Sequence, residues 1–133
     1  MFHKYISKIL RRIHMSDIKC INLTVIAPKD KVEEVEKIFY KHGDWMKSFY
    51  ADDKEHLLHG YFTKAPEYNN PLDPNSGETG GMIFTINEQF SSMESVKRHE
   101  DHAQKNDYFP EFGKIIELYG KGLSIGGELT YSF

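Results

Sequence analysis

An α+β fold, with one four-stranded antiparallel sheet and helices on a single face, is predicted by three observations. The run Phe84-Thr85-Ile86-Asn87-Glu88-Gln89-Phe90 carries a two-residue hydrophobic period, and the stretch through Met93, Val96 and His99 changes to a helical one. A strand there feeds straight into a helix. A first strand rich in β-branched residues leads in the same way into a long apolar stripe, and the chain closes on a cleanly alternating segment. The resulting order is strand, helix, strand, twice over: a split βαβ arrangement, βαββαβ.

Taken in order, Ile18 to Ala27 is apolar at positions of both parities, which predicts a strand covered on both faces. Pro28 ends it, and Asp30 with Glu33 three residues later forms a capping-box-like start. Val32, Val35, Ile38, Phe39, His42, Trp45, Met46 and Phe49 then recur at three- and four-residue steps, so one stripe of a helix of about five turns faces the core. Gly43 costs roughly 1 kcal/mol against alanine in a helix, which predicts a bend or break near His42-Gly43-Asp44. Leu57 to Thr63 reads as the second strand, with His59, Tyr61 and Thr63 on one side.

Residues 65 to 81 carry three prolines and three glycines and read as a long polar connection, either mobile or a cover over a site. Gly81 to Phe90 is the third strand, and Ser91 or Ser92 caps a helix bearing Met93, Val96 and Ala103. Asn106-Asp107 loosens that helix. A second helical piece follows Pro110, with Phe112, Ile115, Ile116, Leu118 and Tyr119, until Gly120-Lys121-Gly122 stops it. Leu123, Ile125, Gly127, Leu129, Tyr131 and Phe133 alternate with small or polar residues as the last strand.

The 133 residues, 39% hydrophobic and 14% aromatic, suit one domain with a real core. Residues 16–133 are assigned to that domain and residues 1–15 to an N-terminal basic amphipathic arm. Cys20 is the only cysteine, so no intramolecular disulfide forms, and a packing role fits it better than a nucleophilic one. The net charge of -3 hides an asymmetry: Lys4, Lys8, Arg11 and Arg12 face no acid in residues 1–14, which leaves the remainder acidic and poorly suited to nucleic acid. Three roles fit the arm: weak contact with a membrane surface, packing on a partner subunit, or sequence upstream of a true start at Met15. No apolar run reaches the roughly 20 residues of a bilayer span, and a cytoplasmic protein is expected.

Both crossovers of a split βαβ unit pack on one face of the sheet, so the other face needs a cover. A second sheet from an identical chain is the most economical one, which predicts a homodimer.

Several short patterns resemble the dimeric α+β barrel superfamily, which is ferredoxin-like, and within it the antibiotic biosynthesis monooxygenase-like group. Phe84-x-Ile86-x-Glu88-x-Phe90 resembles that group's third strand, and Met93-Glu94-Ser95-Val96-Lys97-Arg98-His99 its following helix. Asn22-Leu23-Thr24-Val25, Pro28 and Phe39-Tyr40-Lys41-His42-Gly43 resemble its first strand and helix. The resemblance covers residues 18 to 133 in layout. It implies a dimeric α+β barrel with a pocket between the helices and the sheet, used in different members for cofactor-free oxygenation of polycyclic phenols, isomerisation or haem degradation. The chain departs from the haem-degrading branch, which has Trp where His99 stands and an iron-ligating His where Phe112 and Gly113 lie.

His99 falls where the resemblance places a pocket residue, and His42 lies on the apolar stripe of the first helix. These two are the candidate catalytic bases, with an unperturbed pKa close to neutrality. Asn22, Trp45, His59, Tyr61 and Phe90 are the candidate ligand-binding residues. His99 and His102 share a helix face, yet zinc wants three or four ligands and the sequence fixes no third, so neither a metal nor another cofactor is expected. There is no phosphate-binding glycine loop, CxxC pair, HExxH motif or G-x-S-x-G elbow. The function expected is that of a small homodimeric enzyme acting on an apolar or aromatic small molecule, with a cofactor-independent monooxygenase-like activity as the specific form. The alternative is a non-catalytic binder of a fatty-acyl or similar ligand.

Overall fold

The computed structural model describes residues 14–133. The basic amphipathic arm therefore lies outside the described residues, apart from His14 and a 3-10 turn at Met15–Asp17. Four strands, β1 (Lys19–Ala27), β2 (Leu57–Tyr68), β3 (Glu78–Phe90) and β4 (Gly120–Glu128), form one antiparallel sheet in the order β2-β3-β1-β4. Helix α1 (Val32–Phe49) joins β1 to β2, and α2 (Met93–Ala103) with α3 (Phe109–Tyr119) joins β3 to β4. This is the expected ferredoxin-like βαββαβ order, its second crossover split into two helices.

Register decides what each face carries. Leu23 lies opposite Ile86 on one side and Leu123 on the other, and Val25 lies opposite Phe84. Ile21, Leu23, Val25 and Ala27 of β1 thus share the helix-covered face with Phe84, Ile86, Glu88 and Phe90 of β3, and all eight are buried. Each fully buried apolar side chain of this size contributes roughly 1.5–3 kcal/mol. Phe39 of α1, Phe84 of β3 and Phe112 of α3 meet at centroid distances of 5.4 and 5.7 Å, which ties the helices to the sheet. The opposite face carries Asn22, Thr24, Ile26, Tyr61, Thr63, Thr85 and Asn87, each exposed or half-buried. Asn22 donates to Asn87 Oδ1 at 3.0 Å, Asn87 donates to Thr85 Oγ1 at 3.1 Å, and Thr63 bonds Thr85.

Several local expectations are corrected. A 3-10 turn at Lys29–Lys31 precedes α1, so Asp30 falls outside the helix and Lys31, with no side-chain cap bond, stands at its N-cap. Gly43 does not break α1, which runs unbroken from Val32 to Phe49. A Cβ there would come within 3.2 Å of the Phe62 ring, so the glycine serves a close helix-sheet approach. Residues 65 to 81 are not one long connection. β2 continues to Tyr68 and β3 begins at Glu78, leaving a turn closed by Asn69 N–H donating to Gly77 O at 2.9 Å. Pro66 is tolerated because β2 is an edge strand.

β4 starts at Gly120 and ends at Glu128, short of the expected Phe133. Its register against β1 shifts between Cys20 and Ile21, with Gly126 at φ +80, and this bulge ends the alternation. The Ser92 cap is as expected, its side chain accepting from Ser95 N–H at 3.1 Å. Asn106 ends α2 by donating from Nδ2 to Ala103 O at 3.0 Å. No helix among the described residues is long and apolar enough to cross a membrane.

Candidate functional site

The core stripe of α1 buries Val35, Ile38, Phe39, His42 and Met46, and that of α2 buries Ser95, Val96, His99 and Ala103. Both stripes face the sheet where β3 presents Glu88, only 2% exposed. Two histidines and a carboxyl are thereby gathered from three elements, each because its own hydrophobic period points it inward. His99 Nε2 stands 3.3 Å from Glu88 Oε2, without the angle of a hydrogen bond, and among the described residues that oxygen has no other partner. The Nδ1 atom of each ring is held by a phenol: Tyr50 Oη lies 2.7 Å from His99 Nδ1, and Tyr108 Oη lies 2.8 Å from His42 Nδ1.

Aromatic rings enclose the group. Phe112 stacks on His42 at 4.8 Å, and Phe90 and Trp45 lie 5.0 and 5.3 Å from the His99 ring. The two imidazoles meet edge-on at 5.7 Å. In so dry a setting charge is expensive. Burial pulls His42 down to about 4. It pulls His99 down to about 3, with repulsion from His42 and Arg98 adding to the shift. Burial pushes the Glu88 carboxyl up to about 8 and both phenols well above their ordinary range. At neutral pH the contact is therefore between a carboxylic acid and a neutral imidazole. It is not an ion pair.

The cluster forms the polar floor of a cavity of about 140 Å³ between α2, α3 and the sheet. Ala103, Phe109, Phe112, Ile116, Leu123 and Ile125 supply its apolar walls. Leu123 and Ile125 are 47% and 45% exposed and stand at the rim, on the open edge strand β4. A space of this size accepts about one aromatic ring, since an apolar cavity of roughly 150 Å³ takes up benzene.

Of the residues singled out in the sequence, His42, His99, Trp45 and Phe90 come together here, Trp45 and Phe90 as packing around the imidazoles. Asn22, His59 and Tyr61 do not join them, because their strand parity puts them on the opposite face of the sheet. Asn22 is engaged with Asn87, and His59 and Tyr61 lie exposed beside each other with ring centroids 5.6 Å apart. His102 packs at 4.8 Å on Phe49, away from the cluster. Glu88, Tyr50 and Tyr108 were missed. Only Glu88 had a readable signal: a charged residue on the apolar beat of Phe84-x-Ile86-x-Glu88-x-Phe90.

No family model matches the chain, and no curated protein matches it. Three solved structures align along most of its length. One, described as a "putative antibiotic biosynthesis monooxygenase" from Bacteriodes thetaiotaomicron, is 14% identical with a TM-score of 0.47, over 86% of this chain and 90% of that one. A conserved protein from Methanosarcina mazei Go1 is 17% identical with a TM-score of 0.48, over 84% and 91%. A protein from Pseudomonas aeruginosa is 15% identical with a TM-score of 0.43, over 90% and 99%.

Proposed function

We propose that this chain is a small enzyme that transfers protons on an apolar or aromatic molecule of about one ring, bound in the cavity beneath α2 and α3. One observation carries this reading: a buried carboxylic acid and two neutral imidazoles form the floor of a pocket whose walls are mostly apolar, with Glu100 and Gln104 also lining it. A carboxyl kept protonated at neutral pH donates a hydrogen bond to a developing oxyanion. Glu88 fills that role toward a substrate oxygen, and the substrate's proton passes to His99 or His42, whose charged form is stabilised by the anion created beside it. Tyr50 and Tyr108 fix the imidazole orientations, and Phe112 shields them from water. With an electron-rich phenol as substrate, the resulting anion adds dioxygen at an open ring carbon, and the hydroperoxide so formed loses water to leave a quinone; the phenol supplies all four electrons, and cofactor-independent monooxygenation is the specific form of the activity.

The exposed sheet face, with its Asn22, Asn87, Thr63 and Thr85 ladder, is assigned to a second copy of the chain. A long fatty-acyl chain exceeds this cavity, and the segment expected to cover it pairs as strands.

The test follows turnover of a panel of single-ring phenols and enolisable ketones by the wild type, Glu88→Gln, His99→Ala and His42→Ala. Removing a general acid or base costs on the order of 10²–10⁴-fold. Equal rates in all four proteins, with a substrate that is turned over, would dismiss the cluster as the reacting centre.

A further inference from the structure

We infer that His42, Glu88 and His99 are the protein ligands of a divalent first-row transition ion. One potential ligand atom from each lies within 4.8 Å of the others, and all three residues are buried. Two imidazoles and one carboxylate are the donor set of catalytic zinc and of non-haem iron(II) centres, which keep coordination positions open for water or substrate. The sequence showed only the histidines. The carboxylate that completes the set arrives from β3, through the sheet register.

Two further observations point to a ligand here. Glu88 Oε2 is buried without a hydrogen-bond partner among the described residues, and it faces His99 Nε2 at a separation close to that of two neighbouring ligands on one ion. Each imidazole is also held at Nδ1 by a tyrosine hydroxyl, which leaves Nε2 as the free nitrogen of both rings. Metal-bound histidines are oriented in this way, the second nitrogen donating to an outer partner. With metal-ligand distances near 2.1 Å, tetrahedral neighbours lie about 3.4 Å apart, so the widest pair closes by no more than about 1.4 Å.

On binding, the Glu88 carboxyl enters as a carboxylate and its proton leaves to solvent. The ion then holds the lone pairs that would otherwise accept a substrate proton, and its open positions face the cavity. This inference rests on the proposed function for the cavity as the route in and keeps its proton transfer, but it replaces the acid and base roles given there to Glu88, His42 and His99: the proton acceptor becomes a metal-bound water or hydroxide.

The experiment uses the full-length, tag-free protein, stripped with EDTA and dialysed. Zn²⁺ is titrated by calorimetry, and Co²⁺ is followed by its visible d–d absorption. One equivalent is expected, with a tetrahedral or five-coordinate Co²⁺ spectrum. Glu88→Gln and His42→Ala weaken binding beyond the roughly 10- to 100-fold that outer-shell changes cost, and Tyr108→Phe stays within that range. His59→Ala, on the exposed sheet face, leaves affinity unchanged. Circular dichroism confirms that each variant is folded. A wild type that takes up no stoichiometric ion overturns the inference on its own, whatever the variants do. So does wild-type affinity in both Glu88→Gln and His42→Ala, which places the ion elsewhere whatever His59→Ala does. Failure to bind metal leaves metal-free proton transfer to be judged by turnover, and metal binding without turnover counts against the proposed function alone.

Discussion

The opposed shifts at Glu88 and the two histidines make stability pH-dependent with a maximum that one substitution removes. His42 and His99 are lowered from 6.5 to about 4 and about 3, so their contribution is present above 6.5 and is lost as pH falls towards their folded values. Glu88 is raised from 4.5 to about 8, so its contribution is full below 4.5 and is lost as pH rises through 8. Between those unfolded values, 4.5 and 6.5, the unfolded chain takes up two imidazole protons while the folded chain holds one at Glu88. The net one proton gives a slope of about 1.4 kcal/mol per pH unit, rising with pH. Between 6.5 and 8 only the folded state holds a proton, and the slope reverses at a similar size. Stability therefore peaks near pH 6.5. In Glu88→Gln the alkaline decline disappears and the acid slope doubles to about 2.7 kcal/mol per pH unit, because two protons are no longer offset by one. Urea denaturation from pH 4.5 to 8.5, with EDTA and constant ionic strength, measures both. An unchanged alkaline limb in Glu88→Gln, or a wild-type optimum above pH 8, would refute the buried, neutral carboxyl.

Other perturbations test the packing and the assembly. Phe90→Ala removes a fully buried ring and should lower the free energy of unfolding by about 3–5 kcal/mol in urea. Ser92→Ala deletes the side-chain cap of α2 and should cost about 1 kcal/mol in the same assay, whereas Asp30→Ala, outside α1, should cost little. Tyr50→Phe withdraws the hydroxyl from His99 Nδ1; a loss of about 1 kcal/mol and a changed tautomer balance in ¹⁵N spectra of His99 are expected, and spectra identical to wild type would contradict the contact. For the proposed dimer, Asn22→Arg combined with Thr63→Arg places like charges on the exposed sheet face. Sedimentation should then show monomers with unchanged circular dichroism, and a wild type that is already monomeric at micromolar concentration ends that proposal.

The strand and helix order was legible because hydrophobic period is a local property. Phe84, Ile86 and Phe90 announced a strand by themselves, as did Val35, Ile38, Phe39 and His42 a helix. Gly43 misled because helix propensity is measured without a neighbour, and here the Phe62 ring occupies the space a side chain would take. The proline- and glycine-rich stretch misled because an edge strand tolerates a proline that a central strand does not. Candidate site residues divided along the same line. His42 could be placed on an inward helix face and His99 only through the family resemblance, while Asn22, His59 and Tyr61 depended on which sheet face the helices would cover.

What the chain by itself determined is the sequence of elements and the inward stripe that carries His42. Only the folded sheet decided that Glu88 lies under His99, that tyrosines from two distant segments hold both imidazoles, and that one apolar cavity opens beside them. The reason is physical: period is written in neighbouring residues, whereas the withdrawal of a carboxyl from water depends on every element packed around it.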